Sequence, residues 1–156
     1  MSVEIRPVTK DNWRDLIKLK VRPDQQDFVA TNVHSIAESQ FGYDDPDYGH
    51  WDMVPFGIFD LGEPVGFLMY GYNFSHPRTQ AYIIRLMVDE QQQGRGYGRF
   101  GMDWMIERFR GDDRIRAIGI SYEPENEVAR KFYKDLGFVE TGEISFGEVV
   151  AVLQIR

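Results

Sequence analysis

A glycine-rich segment is the feature that most constrains how this chain can fold. The segment, QQQGRGYGRF at residues 91–100, follows the apolar, strand-like run AYIIRLMV and precedes a helix predicted over residues 97–110. The first N–H groups of a helix have no partner inside the helix and carry the positive end of its dipole. Because glycine has no Cβ atom, a phosphate can approach these groups closely. The segment therefore predicts a diphosphate site, with Arg95 and Arg99 adding positive charge at its edge.

Other interpretations of the glycines are weaker. The run GYGRFG at residues 96–101 matches the dinucleotide pattern G-x-G-x-x-G. A doubly wound dinucleotide fold needs several further strand–helix units, and only residues 102–156 remain. A P-loop would need a Gly-Lys-Ser/Thr sequence, which is absent. A tight turn without a ligand stays open, but four glycines within residues 94–101 exceed what one turn needs.

The periodicity of the apolar residues predicts one domain over residues 1–156. The predicted element order is β-α-α-β-β-β-α-β-α-β-β, with early helices near residues 10–20 and 24–40 and a loop over residues 41–55. This order indicates an α/β class with a mixed sheet and helices on its faces.

Composition excludes several kinds of function. The chain has no cysteine, which rules out disulfides, thiolate metal sites and a cysteine nucleophile. Three widely spaced histidines predict no metal site. No signal peptide or membrane span is evident, so a cytoplasmic protein without a membrane partner is expected. A net charge of −7 argues against a nucleic-acid partner.

Two motifs in order point to a known family. Residues Gln93 to Gly98 match the pattern Q/R-x-x-G-x-G/A, and a second pattern follows at Asn126, Ala129, Tyr133 and Gly137-Phe138. The chain thereby resembles the GCN5-related N-acetyltransferases, the GNAT family, over nearly its whole length. The resemblance implies the GNAT fold, in which a central, mostly antiparallel sheet of six to seven strands is flanked by about four helices.

The resemblance also implies acetyl-CoA as co-substrate, without a metal. The backbone of the central strand should pair with the pantetheine arm, and the amide near Met87 should polarise the acetyl carbonyl. Asn126 should contact the arm near the thiol. The implied cofactor residues are Leu86, Met87, Val88, Gln93, Gly94, Arg95, Gly96, Tyr97, Gly98, Arg99, Asn126 and Ala129.

Acetyl transfer to an amine requires an acid and a base. A phenol, with a pKa of about 10, can protonate a departing thiolate, whose thiol has a pKa of about 8.5, and Tyr133 is the candidate acid. The central strand AYIIRLMV carries no carboxylate that could act as the base. Glu38, His50 and Glu123 remain as candidates, acting through water, and Glu38 is the predicted catalytic carboxylate.

An acidic span indicates the acceptor. From Pro23 to Pro77 the chain has nine acidic residues and no Lys or Arg. A solvated acidic surface is one interpretation, and a field that attracts cations is the other. In the GNAT family this part of the chain usually lines the acceptor side, and here carboxylates alternate with aromatic residues that suit cation–π contact. The predicted acceptor residues are Glu38, Tyr43, Asp44, Asp45, His50 and Trp51.

The runs QQDFVATNVHSIAESQFGY and IIRLMVDE also resemble bacterial spermine/spermidine acetyltransferases of the BltD type. A primary amine of spermidine or spermine is therefore the predicted acceptor. An aminoglycoside, a protein lysine or an N-terminal amine remain alternatives, as does an acetyl-CoA sensor without turnover. Members of the family often form homodimers, and the sequence leaves the oligomeric state open.

Overall fold

The computed structural model describes residues 2–156 and contains eight strands and four helices within that range. The strands are β1 (Val3–Pro7), β2 (Tyr43–Asp45), β3 (Gly49–Asp60), β4 (Glu63–Tyr72), β5 (Ala81–Val88), β6 (Ala117–Tyr122), β7 (Val139–Ser145) and β8 (Glu148–Gln154). The helices are α1 (Trp13–Leu16), α2 (Asn32–Ser39), α3 (Tyr97–Arg110) and α4 (Glu127–Asp135). None of these helices in the described chain is long and apolar enough to cross a membrane.

The strands form one sheet whose order is β1-β3-β4-β5-β6-β8-β7, with β2 paired to the start of β3. All neighbouring strands are antiparallel except β5 and β6, which are parallel. The predicted mixed, mostly antiparallel sheet is therefore confirmed. The structure has eight strands rather than the predicted six to seven, because the three-residue strand β2 adds to the seven strands of the main path.

The early part of the chain differs most from the prediction. The helix predicted over residues 24–40 is limited to α2, preceded by a 3-10 turn at Pro23–Gln25. Thr31 begins α2 because its side chain accepts a hydrogen bond from the His34 amide. The segment over residues 41–55, predicted to be a loop, instead forms the β2–β3 hairpin. Its Gly, Pro and Asp residues mark the turn of that hairpin rather than a long loop.

Both faces of the sheet are covered. Helices α3 and α4 pack on one face, where Leu68, Met102 and Phe109 are almost fully buried. The opposite face packs against α2 through Phe67 and Met69. Successive residues of β4 thus bury on alternate faces, which explains its continuous apolar sequence.

A bulge opens the sheet at its centre. Pairing between β4 and β5 shifts at Met69/Tyr70, so that Ile84 is the extra residue on β5. The parallel pairing of β5 with β6 covers only Ala81–Ile83 and ends there. Beyond this point the two strands diverge, and the β6-facing edge of β5 has no strand partner. The fold thus provides a cleft with a free strand edge along one wall.

Gly119 on β6 allows Tyr82 of β5 to lie flat across it. A Cβ atom at Gly119 would fall 2.5 Å from the Tyr82 ring, well inside contact distance. We expect Gly119→Ala to lower the free energy of unfolding by about 1–3 kcal/mol because the ring must move. Urea denaturation would measure the change, with Gly111→Ala as the matched control because its Cβ would approach other atoms only to 3.4 Å. Equal midpoints for the two variants would contradict this packing.

Candidate active site

The glycine-rich loop connects β5 to α3 and leaves its backbone open. Gly94 and Gly96 have φ angles of 81° and 86°, in the left-handed region that favours glycine. A Cβ atom at either position would meet nothing within 4 Å, so the space beside the loop is free. Gly96 is the N-cap of α3 and offers no side chain to satisfy the first N–H groups of that helix. These groups are therefore available to an anion such as a diphosphate.

The polar side chains around this loop do not all face the adjacent cleft. The Gln93 amide donates to Oε1 of Gln25 at 2.9 Å and to the Val88 carbonyl at 3.1 Å, so it braces the loop against β5 and the 3-10 turn. Arg99 pairs with Asp103 at 3.0 Å along α3. Neither Arg95 nor Arg99 is among the residues that line the adjacent cleft.

Tyr97 is buried at the start of α3, and its hydroxyl hydrogen-bonds Asp60 at the end of β3. The hydrogen bond to Asp60, then burial, raises the pKa of Tyr97. This contact ties the first turn of α3 to the β3–β4 hairpin. The glycine loop is thus held at both of its ends.

The main cleft, about 840 Å³ in volume, extends from the glycine loop between β5 and β6 to α4. It brings together most of the residues predicted to contact the cofactor. Those lining it are Leu86, Met87, Val88, Gln93, Gly94, Gly96, Tyr97, Gly98, Asn126 and Ala129, together with Tyr133. A long cleft with open amides at one end and a free strand edge along its wall suits an extended ligand that ends in a diphosphate.

Asn126 begins α4 at the far end of the main cleft. Its side-chain oxygen accepts a hydrogen bond from the Ala129 amide at 3.1 Å, which explains the spacing of these two residues in the motif. Within residues 2–156 the Asn126 NH₂ group has no protein acceptor, and the residue lines the cleft. The same side chain can therefore cap the helix and donate to a ligand.

Tyr133 lies in an aromatic cluster on α4. Its ring centroid is 5.6 Å from that of Tyr122 and 5.4 Å from that of Phe132. Burial, followed by the nearby Tyr122 and the charge of Glu148, raises the pKa of Tyr133 to about 12. The phenol therefore stays protonated throughout the neutral range and can donate a hydrogen bond into the cleft.

Glu38, the predicted catalytic carboxylate, forms an ion pair with Arg85 of β5 at 3.3 Å. It lines neither the main cleft nor the cavity beside it, whereas Arg85 lines the main cleft. Glu123, another candidate base, does line the main cleft. The carboxylate of Glu38 is thus held by a cation rather than directed at the space where a substrate would bind.

A second cavity of about 350 Å³, here termed the side pocket, adjoins the main cleft. Tyr82, Ile84 and Ser121 line both spaces, so the two meet at the point where β5 and β6 diverge. The acidic side chains in the side pocket are Asp45, Asp47 and Glu143, and the aromatic ones are Tyr43, Tyr48, Trp51, Tyr82 and Phe146. Arg78 also lines the pocket and pairs with Glu143 at 3.6 Å, so Asp45 and Asp47 are the carboxylates that a bound cation could approach among the ring faces.

Two residues predicted for this region lie outside the side pocket. The His50 Nδ1 atom is 2.7 Å from the Asp44 carboxylate, and its Nε2 atom is 3.6 Å from that of Asp52. The hydrogen bond to Asp44 raises the pKa of His50. These exposed contacts brace the β2–β3 hairpin, because Asp44 and His50 are directly opposite in its register. The hairpin directs Asp45 into the pocket instead.

His76 forms part of the pocket wall, a role that the sequence analysis missed. Its Nδ1 atom accepts hydrogen bonds from the backbone N–H groups of Thr79 at 3.1 Å and Arg78 at 3.3 Å. Its ring centroid is 4.7 Å from that of Tyr48. Burial, followed by the charge of Arg78, lowers the pKa of His76. His76 is therefore neutral and packs as part of the pocket wall, and it does not serve as a proton carrier. The Ser-His-Pro turn was its only sequence signal.

The β7–β8 hairpin forms another wall of the side pocket that was not predicted from the sequence. Glu143 and Phe146 from this hairpin line the side pocket, and the Phe146 ring lies 6.2 Å from that of Tyr43. Glu148, which follows the hairpin turn, lines the main cleft and accepts a hydrogen bond from Ser121. The acidic and aromatic residues around Gly147 are the sequence signal from which this wall of the pocket could have been predicted.

Comparison with known proteins agrees with this geometry. Residues 13–138 match the family model described as Acetyltransferase (GNAT) family. A spermine/spermidine N(1)-acetyltransferase of Bacillus subtilis (strain 168) is 28% identical over 99% of this chain and 100% of the relative. A 5-NmdU N-acetyltransferase of Pseudomonas phage PaMx11 is 32% identical over 60% of this chain and 62% of its own length.

Solved structures share the fold. An acetyltransferase from Thermus thermophilus has a TM-score of 0.75 and 19% identity, with 99% of this chain and 98% of that chain covered. The Vibrio cholerae spermidine N-acetyltransferase in complex with CoA and spermine has a TM-score of 0.71 and 15% identity, with 98% and 95% covered. The family match spans most of the residues that carry the cleft, the glycine loop and α4. The chain therefore belongs to the GNAT acetyltransferase family and is an acyltransferase.

Proposed function

We propose that residues 1–156 form one domain that transfers an acetyl group from acetyl-CoA to a primary amine of a small polycation, with spermidine and spermine as the expected acceptors. The side pocket carries this proposal, because Asp45 and Asp47, which form no salt bridge within residues 2–156, lie among aromatic rings beside the main cleft, while Glu143 is paired with Arg78. The curated Bacillus subtilis relative that aligns along nearly the whole chain is a spermine/spermidine N(1)-acetyltransferase, which supports the same substrate class.

The residues of the main cleft fit acetyl-CoA. The open amides at Gly94 and Gly96 would hold its diphosphate, and the free edge of β5 at residues 86–88 would hold the pantetheine arm. The Asn126 NH₂ group would contact the arm near its thiol end. Bound acetyl-CoA supplies an activated acetyl thioester that a neutral amine can attack directly. An amide of β5 near Met87 would polarise the acetyl carbonyl.

Tyr133 would assist departure of the sulfur. With a pKa of about 12, its phenol remains protonated and can donate a hydrogen bond to the developing thiolate. Complete transfer of the proton to a thiolate of pKa about 8.5 would be uphill by about 5 kcal/mol, so the hydrogen bond itself provides the stabilisation. Tyr133 is therefore proposed as the acid through hydrogen bonding, with the proton reaching the sulfur as the products separate.

The side pocket would hold the amine groups that do not react. Ammonium groups spaced along a flexible chain can each approach a carboxylate, while the methylene groups between them contact the rings of Tyr48 and Trp51. A monoamine would gain only part of this attraction. The pocket therefore favours acceptors with several positive charges.

The first experiment is an assay of thiol release from acetyl-CoA with a panel of amines. The panel contains spermidine, spermine, a diamine, an aminoglycoside and a lysine-rich peptide. Turnover on the polyamines alone supports the proposal, and preferential turnover on the aminoglycoside or the peptide replaces the proposed substrate class. Binding of acetyl-CoA without turnover on any amine would favour a sensor.

Removing charge from the side pocket should weaken polyamine binding selectively. We expect Asp45→Asn with Asp47→Asn to raise the KM for spermidine about threefold to 30-fold and to change kcat less than about threefold, because Asp47 is exposed and Asp45 half-buried, and each lost ion pair at such a site is worth about 0.3–1 kcal/mol. The dependence of KM on salt should also decrease. Asp44→Asn is the matched control, since Asp44 lies next to Asp45 but outside the pocket. A similar KM change in the control would contradict the pocket assignment.

A further inference from the structure

A hydrogen bond spans the junction of the two cavities. Ser121 on β6 donates its hydroxyl hydrogen to Oε1 of Glu148 on β8, with an oxygen–oxygen distance of 2.8 Å. Ser121 lines both the main cleft and the side pocket, whereas Glu148 lines only the main cleft. Because β6 and β8 are paired next to this point, at Tyr122 and Val149, the sheet holds the pair in place. The pair thus lies where an amine from one cavity would meet an acetyl group from the other.

The groups around Glu148 leave its carboxylate free of competing cations. Tyr82 faces it from β5 and Tyr133 faces it from α4; burial first, with a contribution from the charge of Glu148, raises the pKa of each tyrosine. Glu143 of β7 also contributes to the raised pKa of Tyr82, and its own charge is paired with Arg78 at 3.6 Å. Within residues 2–156 no Lys or Arg forms a salt bridge with Glu148, in contrast to Glu38, which pairs with Arg85.

The reaction needs a route for protons at this junction. An alkylammonium, with a pKa of about 10.4, loses two protons as it becomes an amide. One of them ends on the departing sulfur, and the other must leave the site. The nitrogen becomes much more acidic as its lone pair forms the new bond to carbon, so a carboxylate is a sufficient base at that stage.

We propose that Ser121 contacts the acceptor nitrogen and passes its proton to Glu148, an inference that rests on the acetyltransferase function proposed above. The N–H bond breaks as a new O–H bond forms on Ser121 Oγ, and the original Ser121 hydroxyl hydrogen moves to the Glu148 carboxylate. The electron pair of the N–H bond remains on the nitrogen, and Glu148 then releases the proton to solvent in the open cleft. Ser121 is thus a catalytic residue, and Glu148 acts through it.

The hydrogen bonding of Ser121 Oγ supports proton transfer in this direction, from the amine to Ser121 and then to Glu148. Ser121 uses its only hydrogen to bond Glu148, and the Tyr82 side chain also interacts with its hydroxyl, so the lone pair that Tyr82 does not engage can accept a hydrogen bond from the amine. This arrangement would orient the nitrogen lone pair away from Ser121. The same contact would select a nitrogen that carries at least one hydrogen.

The test compares Glu148→Gln with the unmodified protein across pH. Glutamine retains an oxygen that can accept the hydrogen bond from Ser121, but it cannot take up the proton. We expect kcat with saturating spermidine to fall about 100-fold at pH 7, a typical size for loss of a general base. The deficit should shrink as the pH is raised toward about 9.5, because more abundant hydroxide can then accept the proton in place of the carboxylate, whereas the larger fraction of free amine speeds both proteins equally. The dissociation constant for acetyl-CoA, measured by calorimetry, should not change.

Two further variants separate this role from a structural one. Ser121→Ala should show the same deficit, and the double variant should be no slower than either single variant, because both residues serve one route. Glu148→Ala should regain rate as formate is added, since formate can occupy the vacated space and accept the proton. Glu107→Gln, an exposed change on α3 outside both cavities, is the control and should match the unmodified protein.

The outcomes distinguish this inference from the proposed function. If the unmodified protein acetylates no amine, the proposed function fails. If it acetylates spermidine but Glu148→Gln shows no deficit, or one that does not vary with pH and formate does not rescue Glu148→Ala, the proton route is wrong while the function stands. Additive losses in the double variant would also overturn the route.

Discussion

Replacing Gly96 with aspartate is expected to raise the dissociation constant for acetyl-CoA by more than about 100-fold, well beyond the loss caused by an uncharged side chain at the same position. The aspartate side chain in place of Gly96 would occupy the free space beside the first amides of the helix, which are the groups proposed to bind the diphosphate. Its negative charge would also repel the diphosphate by about 3 kcal/mol at a separation of about 5 Å and an effective dielectric of about 20. Because Gly96 has a φ of 86°, any side chain there also strains the left-handed backbone, so every Gly96 variant should lose a similar amount of thermal stability.

Two control variants separate the effect of the added charge from the effect of placing a side chain on this backbone. Gly96→Asn adds a side chain of the same shape and the same backbone strain without the charge, so its loss of affinity should be at least about tenfold smaller than that of the aspartate variant. Gly62→Asp introduces the same charge at a φ of 81° in the β3–β4 turn, where a Cβ atom also meets nothing within 4 Å, and should leave affinity unchanged. Calorimetry and thermal denaturation measure both properties. Equal affinities for the Gly96 variants would argue against a diphosphate at this helix terminus.

The sequence predicted the glycine loop and α3 well because their signals are local. Glycines that need positive φ, followed by an apolar stripe at helical spacing, specify a strand–turn–helix unit without help from the rest of the chain. Helix α3 accordingly spans Tyr97–Arg110, as predicted. The β3–β4 hairpin has a similarly local signal, because two apolar runs flank a glycine turn at Gly62.

The side pocket could be predicted only in part because its walls come from distant parts of the chain. Tyr43 and Phe146 face each other across it although about a hundred residues separate them in sequence. The acidic span pointed to Asp45 and Trp51, but nothing in that span indicated that the β7–β8 hairpin would close the opposite side. Strand pairing at the end of the sheet, rather than local propensity, brings these residues together.

Glu38 illustrates a further limit of the sequence. Its position on α2 was predicted, and its place in the acidic span suggested a role in proton transfer. Arg85 is the partner that determines where its carboxylate lies, and this contact joins residues 47 positions apart across the face of the sheet. The contact between Ser121 and Glu148 could not be predicted from the sequence either, because only the pairing of β6 with β8 makes these residues neighbours.

Removing the Tyr133 hydroxyl should lower kcat about 100-fold and leave the dissociation constant for acetyl-CoA within about threefold, if the phenol stabilises the departing sulfur. Tyr133→Phe keeps the ring that packs against Phe132 and Tyr122, so the fold should not change. Burial raises the Tyr133 pKa to about 12, so the phenol loses its proton only near that pH. Any loss of rate in the unmodified protein between pH 8 and 10 should therefore persist in the variant.

The comparison that decides the role of Tyr133 is between kcat and binding. A hydroxyl that only packs in the aromatic cluster would, when removed, change stability and acetyl-CoA affinity together, whereas a hydroxyl that acts on the sulfur changes only the transition state. Tyr72→Phe removes a phenol that lines neither cavity and serves as the matched control. Parallel losses of kcat and affinity in Tyr133→Phe would assign the hydroxyl to cofactor binding. A large loss of kcat alone would leave it as the hydrogen-bond donor to the leaving thiolate.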